Sequence, residues 1–293
     1  MENDKRLLLV PVNFTDYAEN GAVYALNLAQ YLKADIILLN CYLEPVMAVP
    51  GLFEPFTYAT INNTLKTIEE EIDVNMKALK QMLEKEKEKA GIREVEINYD
   101  LVHGFPDSAI LTYADQYNVD AVIMGFEKQE GFSKFGNITA NVIEKASVPV
   151  IAVPQGYDAY RYKKPENVLY LTRIDDTDLE AMQRLSRLVR FFDSRIMCVH
   201  TCLGESSDEE EQEMQKFKKM IVEEYKVENV ECGILETGDI VEGLIKFIKR
   251  RKIDVLAMNT KKRNMLLRLF KSNFTEKLLY QTNVPLLVYH INH

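Results

Sequence analysis

The chain has 293 residues, of which 47% are hydrophobic and 28% charged, and its net charge is −9. A chain of this length corresponds to about two globular domains of roughly 150 residues, each large enough to bury its own core. No apolar run approaches the ~20 residues that a membrane-spanning helix needs, and the charged start of the sequence differs from a signal peptide. We therefore expect a cytoplasmic protein without a membrane partner.

The negative charge is concentrated in the first half of the chain. Residues 1–154 contain 13 Lys and Arg against 23 Asp and Glu, whereas residues 155–293 contain 23 against 22. Because an acidic surface repels phosphates, this balance argues against nucleic acid as a partner, and it leaves the second half open to anions only locally.

The cysteines and histidines do not form a recognisable site. The four cysteines have no CxxC spacing, and two of them lie in apolar, strand-like runs, which predicts buried free thiols instead of a metal site or a disulfide: Cys41, Cys198, Cys202 and Cys232. The four histidines are scattered, and no predicted loop combines a base, a nucleophile and an orienting group. The sequence assigns no metal and favours a protein that is not an enzyme.

Strands and helices alternate through the first half. Leu7–Val12 is apolar and β-branched enough for a buried strand, and residues 18–32 carry apolar side chains at helical spacing. The elements that follow are predicted in this order: strand 35–42, a long apolar connection over 43–61, a charged helix over 62–90, strand 95–102, helix 107–117, strand 121–124, helix 137–146 and strand 148–153.

The second half repeats this order after a linker over residues 155–165. Its predicted strands are 168–172, 195–200, 230–235, 255–258 and 285–289, and its predicted helices are 178–192, 209–225, 241–249 and 275–281. Continuously apolar strands that alternate with helices are typical of parallel sheets covered on both faces. The predicted fold is therefore α/β, with two doubly wound domains, residues 1–154 and 166–293, each containing a five-stranded parallel sheet.

A repeated phrase near the end of each half ties the halves together. Gly136 opens Gly-Asn-Ile-Thr 13 residues before Pro149, and Ser272 opens Ser-Asn-Phe-Thr 13 residues before Pro285. A fixed spacing of this kind joins a loop, a helix and a strand into one repeated unit.

The alignment of the halves also locates a deletion. Asn13 corresponds to Arg173 at an offset of 160, and Gly125 corresponds to Asn259 at an offset of 134. The change in offset places the deletion in the connection and helix after the second strand, where the surface tolerates it.

These segments together resemble the universal stress protein family in its tandem form. The opening LVPVNFTDYAEN, residues 9–20, is similar to the family's V-P-x-D-F-S-x-x-A start, and further resemblance lies in Val102–Pro106, Ala121–Gly125 and Gly136–Val153. The resemblance covers nearly the whole chain. It implies a fold like that of the adenine nucleotide alpha hydrolases. It also implies that the last strands of the two halves pair antiparallel, so that one chain forms a pseudo-dimer. Association of two chains into a homodimer is a further possibility.

The resemblance also implies a nucleotide site in the first half. ATP-binding members carry G-x2-G-x9-G-[S/T] after the fourth strand, where glycines let backbone N–H groups approach phosphates at a helix N-terminus. The first half keeps part of this loop, but Lys128 replaces the second glycine and the loop is two residues short. The implied site residues are Pro11, Val12, Asn13, Cys41, Met124, Gly125, Gly131, Gly136, Asn137, Ile138 and Thr139.

Within this implied site, the Gly136–Ile138 amides and the Thr139 hydroxyl would hold phosphates. Asn13 stands where family members have a carboxylate facing the ribose, and Val12, Cys41 and Met124 would line the adenine pocket. In the second half, Arg173 replaces Asn13, and Asn259, Lys262 and Ser272 occupy the three glycine positions. ATP is therefore expected in the first half only.

Several alternatives remain open at the level of sequence. The glycines could serve only as turns, and Lys128 and Lys134 could neutralise phosphates or be solvated. The basic cluster over residues 261–271 could be solvated, could hold a phosphate-bearing ligand or could attract the acidic first half of another chain. The apolar connection over 46–58 could cover the cleft of the first half, pack on a partner domain or pack on itself. A stress-response regulator that binds an adenine nucleotide is the leading hypothesis, followed by an interaction scaffold that binds no nucleotide and, third, by a hydrolase or nucleotidyl-transfer enzyme.

Overall fold

The computed structural model describes residues 5–43, 58–127, 137–161, 163–260 and 281–290. The strands in this part of the chain are β1 Arg6–Pro11, β2 Ala34–Tyr42, β3 Ile97–His103, β4 Ala121–Phe126, β5 Val150–Pro154, β6 Asn167–Leu171, β7 Arg195–Leu203, β8 Val230–Thr237, β9 Val255–Thr260 and β10 Leu286–His290. The helices are α1 Asp16–Leu32, α2 Tyr58–Lys89, α3 Pro106–Gln116, α4 Asn137–Lys145, α5 Asp176–Val189, α6 Asp208–Lys219 and α7 Ile240–Arg251.

Most predicted elements are present, with shifted ends. Helix α2 begins at Tyr58, earlier than predicted, and α6 ends in a single π turn over Met220–Glu224 instead of continuing as a regular helix. Most of the predicted apolar connection and of the predicted 275–281 helix lie outside the described residues.

The ten strands form one sheet made of two parallel halves. Their order is β3-β2-β1-β4-β5-β10-β9-β6-β7-β8. The five strands of the second half therefore have the same arrangement as those of the first half, in reversed order across the sheet. All strand pairs within a half are parallel. The predicted fold of two doubly wound units, each with a five-stranded parallel sheet, is confirmed.

The two halves are joined by their last strands, as predicted. Strand β10 pairs antiparallel with β5, and Leu287 lies opposite Ile151. Each strand would otherwise present a row of unpaired backbone groups at an edge, and the pairing removes that hazard. The chain therefore forms the expected pseudo-dimer within itself.

The strands are buried on both faces, which explains their continuous apolar sequences. Along β1, Leu8 and Val10 belong to the core under α1, α2, α5 and α6, whereas Leu9 belongs to the core under α3, α4 and α7. Alternate side chains of a strand point to opposite faces, so a strand between two helix layers needs apolar residues at every position.

The segment between the halves packs against α1. The Asn20 and Asn27 side-chain amides donate to the carbonyl oxygens of Tyr157 and Lys163, each at 2.8 Å, and Ala159 is buried. The Lys163 ammonium lies 2.9 Å from the Asp254 carboxylate of the second half. These contacts fix the linker to both halves.

In the described part of the chain, no helix is long and apolar enough to cross a membrane.

Candidate functional site

The candidate crevice of the first half lies where the strand order reverses. The chain leaves β1 toward β2 on one side, and β4 pairs with β1 on the other side. In sheets of this kind, ligands bind beyond the carboxyl ends of the strands at the point of reversal. Pro11, Asn13, Cys41, Met124 and Gly125 all lie at these ends of β1, β2 and β4, or just after them.

Asn13 is exposed at the mouth of this crevice and is ordered by local hydrogen bonds. Its Oδ1 accepts from the Thr15 hydroxyl at 2.6 Å, and its Nδ2 donates to the Tyr17 hydroxyl at 3.3 Å. Thr15 is also the N-cap of α1, because its hydroxyl accepts from the amide of Ala18. The amide keeps further donor and acceptor capacity with which it can meet a ligand hydroxyl.

The Val12 side chain lies on the opposite face of the sheet from Cys41 and Met124. It is buried on the face covered by α1 and α2. The Val12 carbonyl accepts from the buried Asn40 amide at 2.8 Å, and the Val12 N–H donates to the Leu39 carbonyl at 2.9 Å. The three residues predicted to line an adenine pocket therefore do not form one wall of side chains.

Cys41 and Met124 pack in the core on the α3 and α4 side of the sheet, near the carboxyl ends of β2 and β4. Met124 is buried and Cys41 half-buried. Burial raises the pKa of the Cys41 thiol to about 12. A thiol with this pKa stays protonated at neutral pH, so Cys41 can contribute apolar surface but not a thiolate nucleophile.

Gly125 is the point of closest approach between β4 and α1. A Cβ atom on Gly125 would lie 1.7 Å from the Tyr17 carbonyl oxygen, and one on Gly21 would lie 2.6 Å from the Gly125 nitrogen. These contacts explain why a glycine stands inside α1, where it costs about 0.5–1 kcal/mol relative to alanine. The packing of helix on strand alone therefore requires glycine at position 125.

The phosphate end of the implied site is described only in part. Gly131 and Gly136 lie outside the described residues, as does the side chain of Asn137. Helix α4 runs from the carboxyl end of β4 toward the start of β5, so its N-terminus lies at the crevice edge, with Ile138 exposed and Thr139 buried. Its first N–H groups have no acceptor within the helix and can meet an anion there.

The same position in the second half has a different chemistry. Leu8 pairs with Ala121 in the first half, and Val168 pairs with Val255 in the second, so the registers confirm that Arg173 and Asn259 correspond to Asn13 and Gly125. The Arg173 guanidinium donates to Asn259 Oδ1 at 3.0 Å and to Asp175 Oδ2 at 3.3 Å. An arginine that follows β6 is thus hydrogen-bonded to an asparagine near the carboxyl end of β9.

Beneath this bridge lies a buried polar network centred on Asp178. Its carboxylate is inaccessible to solvent and accepts from the Tyr170 hydroxyl at 2.6 Å, from the Thr172 hydroxyl at 2.8 Å and from the Arg173 amide at 2.8 Å. The Asn259 amide donates to the Thr177 hydroxyl at 2.9 Å. A buried carboxylate is tolerated because these donors replace water.

Asn40 and His200, at corresponding positions of the two halves, were not predicted from the sequence to have a role. His200 corresponds to Asn40, and its Nδ1 lies 3.1 Å from the Thr172 carbonyl, just as Asn40 binds the carbonyl of Val12. A carbonyl only accepts, so His200 donates from Nδ1. The sequence feature that could have identified them is a polar residue inside an otherwise apolar strand, which occurs in β2 and in β7 at corresponding positions.

Other clefts of the described structure lie elsewhere. One cleft, of about 1010 Å³, is at the opposite edge of the sheet, at the amino ends of β6, β7 and β8, and is lined by side chains of both charges. A second, about 350 Å³, lies between the end of β3 and α3 beside His103 and Phe105. Among the described residues, no group of three or more His, Cys, Asp or Glu could hold a metal ion.

The chain matches known proteins over both halves. The model of the universal stress protein family matches residues 6–154 and 166–290. The universal stress protein MJ0531 of Methanocaldococcus jannaschii is 25% identical over 154 residues, which cover 52% of this chain and 84% of that protein.

Two solved structures resemble almost the entire chain. A universal stress protein from Archaeoglobus fulgidus DSM 4304 has 14% identity and a TM-score of 0.65, with 97% of this chain and 96% of that chain covered. A second one, from Pseudomonas aeruginosa UCBPP-PA14, has 12% identity and a TM-score of 0.56, with 98% and 94% covered. At these identities the structures bear on the fold alone.

Proposed function

We propose that this chain, which belongs to the universal stress protein family, is a stress-response regulator that binds one adenine nucleotide, ATP, in the crevice of its first half. One observation carries the proposal, namely the contrast between the two crevices. In the first half the Asn13 side chain is exposed and is hydrogen-bonded to Thr15 and Tyr17 within its own turn. In the second half the guanidinium of Arg173, the corresponding residue, is hydrogen-bonded to the Asn259 side chain of β9.

The chemistry of the first crevice suits a nucleoside phosphate. The Asn13 amide offers both donor and acceptor to ribose hydroxyls. Met124 and Cys41 offer buried or half-buried apolar surface to a purine ring. The N-terminus of α4 offers unsatisfied N–H groups and the positive end of a helix dipole to phosphates.

The proposal involves binding without a catalytic step. The Cys41 thiol, with its pKa of about 12, supplies no nucleophile, and the Asn13 amide supplies no general base. Regulation would then follow from the difference between the nucleotide-bound and free states of the first half.

Isothermal titration of the full chain with ATP tests this proposal. We expect one site per chain in the wild type. Asn13→Asp should bind about five-fold to tenfold more tightly, because a carboxylate forms a stronger hydrogen bond with a hydroxyl than an amide does, and Asn13→Ala should bind more weakly. Arg173→Ala is the matched control at the corresponding position of the second half and should leave the affinity unchanged.

The repeated phrase supplies a second matched pair of variants, at positions outside the described residues. Gly136→Val should abolish binding, because its side chain would occupy the place of a phosphate, and Ser272→Val should change little. If binding were lost in Arg173→Ala or Ser272→Val but kept in Asn13→Ala and Gly136→Val, the nucleotide site would lie in the second half and the proposal would be overturned.

The titration should include cyclic and deoxy nucleotides. Universal stress proteins have been solved in complex with cAMP and with dAMP, and each covers less than half of this chain. A preference for either compound over ATP would change the proposed ligand but not the proposed crevice.

An interaction scaffold without nucleotide is the second candidate. The packing of Gly125 against Tyr17 favours it, because this glycine is required whether or not a phosphate approaches. If none of the three nucleotides binds at millimolar concentration, in titration or as ligand retained by the protein, the first proposal is overturned in favour of the scaffold.

A further inference from the structure

Two cysteines lie side by side at the end of the sheet in the second half. Cys198 of β7 and Cys232 of β8 are direct partners in the parallel register, and Tyr170 of β6 completes the row. Partners on neighbouring strands lie about 4.8 Å apart, within the range of Cα separations that a disulfide spans. The two thiols are also within hydrogen-bonding contact.

We propose that Cys198 and Cys232 form a redox-active dithiol, which a peroxide oxidises to a disulfide between the last two strands of the sheet. Both thiols are free in the structure. Their contact is long-range in sequence, so the register of β7 and β8 creates it, not a local motif.

The surroundings give the two thiols different roles. Cys198 is buried and Cys232 is half-buried on β8, the last strand of the sheet, where a small oxidant can reach it. The hydrogen bond from Cys198 lowers the pKa of Cys232, and the Lys218 ammonium lowers it further, whereas burial raises the pKa of Cys198. Cys232 is therefore the attacking thiolate and Cys198 the resolving thiol.

The oxidation balances with hydrogen peroxide as the oxidant. The Cys232 thiolate attacks one peroxide oxygen, the O–O bond breaks, and the released hydroxide takes up a proton to leave as water, which gives a sulfenic acid. The Cys198 sulfur then attacks the sulfenic sulfur, and the hydroxyl group leaves with the Cys198 proton as a second water. Two thiols and one peroxide thus become one disulfide and two waters.

The pair connects to the crevice of the second half. The Thr172 hydroxyl is in contact with the Cys198 thiol and donates to the Asp178 carboxylate at 2.8 Å. Asp178 also accepts from the amide of Arg173, whose guanidinium bridges to Asn259. A disulfide at Cys198 would remove the thiol that lies at the buried end of this network. The second half, which has no predicted nucleotide site, would then be the half that responds to oxidation.

Peroxide titration of the reduced full chain tests the pair directly. After removal of the reductant and addition of hydrogen peroxide, alkylation under denaturing conditions should find two of the four cysteine thiols lost. The intact mass should fall by two hydrogen atoms, non-reducing peptide mapping should recover one peptide that links Cys198 to Cys232, and dithiothreitol should reverse the change.

Matched variants separate this pair from the other thiols. Cys202→Ser is the control, because Cys202 lies on the same strand as Cys198 but has Glu236 as its register partner. The Cys202→Ser variant should form the Cys198–Cys232 disulfide as the wild type does. Cys198→Ser should form no intramolecular disulfide and should leave a sulfenic acid on Cys232 that dimedone traps. Retention of all four thiols, a disulfide to Cys41 or Cys202, or dimedone on Cys202 would overturn the proposal, and the wild-type map decides it even if a variant is unstable.

Discussion

Replacement of Gly125 by alanine tests why a glycine stands at the end of β4. The new Cβ would lie 1.7 Å from the Tyr17 carbonyl oxygen and 3.0 Å from the Ala18 Cα. The start of α1 would have to move by more than an ångström, although α1 is held by buried side chains along its length. Overpacking of a close-packed region costs about 1–3 kcal/mol and occasionally more, and we expect about 3 kcal/mol here.

The matched control is Gly233, the glycine inside β8. A Cβ atom there would meet no atom of the described residues within 4 Å, so Gly233→Ala should leave the free energy of unfolding unchanged or raise it by about 0.5 kcal/mol. Both variants change one strand glycine to alanine, and the space available to the new methyl group is what the comparison tests.

Urea and thermal unfolding of the nucleotide-free protein, followed by circular dichroism, provide the measurement. For a half of about 150 residues, a loss of 3 kcal/mol corresponds to a fall in Tm of roughly 6–12 °C. If Gly125→Ala were as stable as the wild type, the packing explanation would be refuted, and the glycine would have to be explained by a ligand that approaches the backbone.

Two further predictions concern buried tyrosines and one concerns pH. Among the described residues, the buried Tyr289 hydroxyl has no hydrogen-bond partner, so Tyr289→Phe should raise the free energy of unfolding by about 1–2 kcal/mol. Tyr170→Phe removes a donor to Asp178 and should lower the free energy of unfolding by about 1.5–3 kcal/mol. Equal effects of the two substitutions in urea unfolding would contradict this. Hydrogen bonds from the backbone and side chain of Ser207 lower the pKa of Glu210, so this carboxylate stabilises α6 above its unfolded pKa of about 4.5 and loses that contribution as the pH falls through the lower folded value. The difference in Tm between the wild type and Glu210→Gln should therefore shrink as the pH falls from about 6 to about 3. A difference in Tm that stays constant over this range would refute the proposed contribution of the Glu210 carboxylate.

The order and type of the elements were predictable because they depend on local patterns. Apolar runs such as Leu7–Val12 identify strands buried on both faces, and the 13-residue spacing before Pro149 and Pro285 identifies the repeated unit. The antiparallel pairing of β5 with β10 followed from the resemblance, since it copies a dimer contact within one chain. The N-terminus of α6 is also set locally, because Ser207 caps the helix through its own hydroxyl and acidic residues fill the first turn.

The sequence by itself determined the alternation of strands and helices, the doubling of the unit and the replacement of Asn13 by Arg173 in the second copy. Only the tertiary structure decided that Gly125 packs against Tyr17, that Arg173 binds Asn259, and that Cys198 lies beside Cys232. The physical reason is that periodicity reports which face of an element is buried, whereas these contacts join residues far apart in the chain. Such contacts are fixed by strand register and by the separation of helix from sheet, and neither quantity is written in any local stretch of sequence.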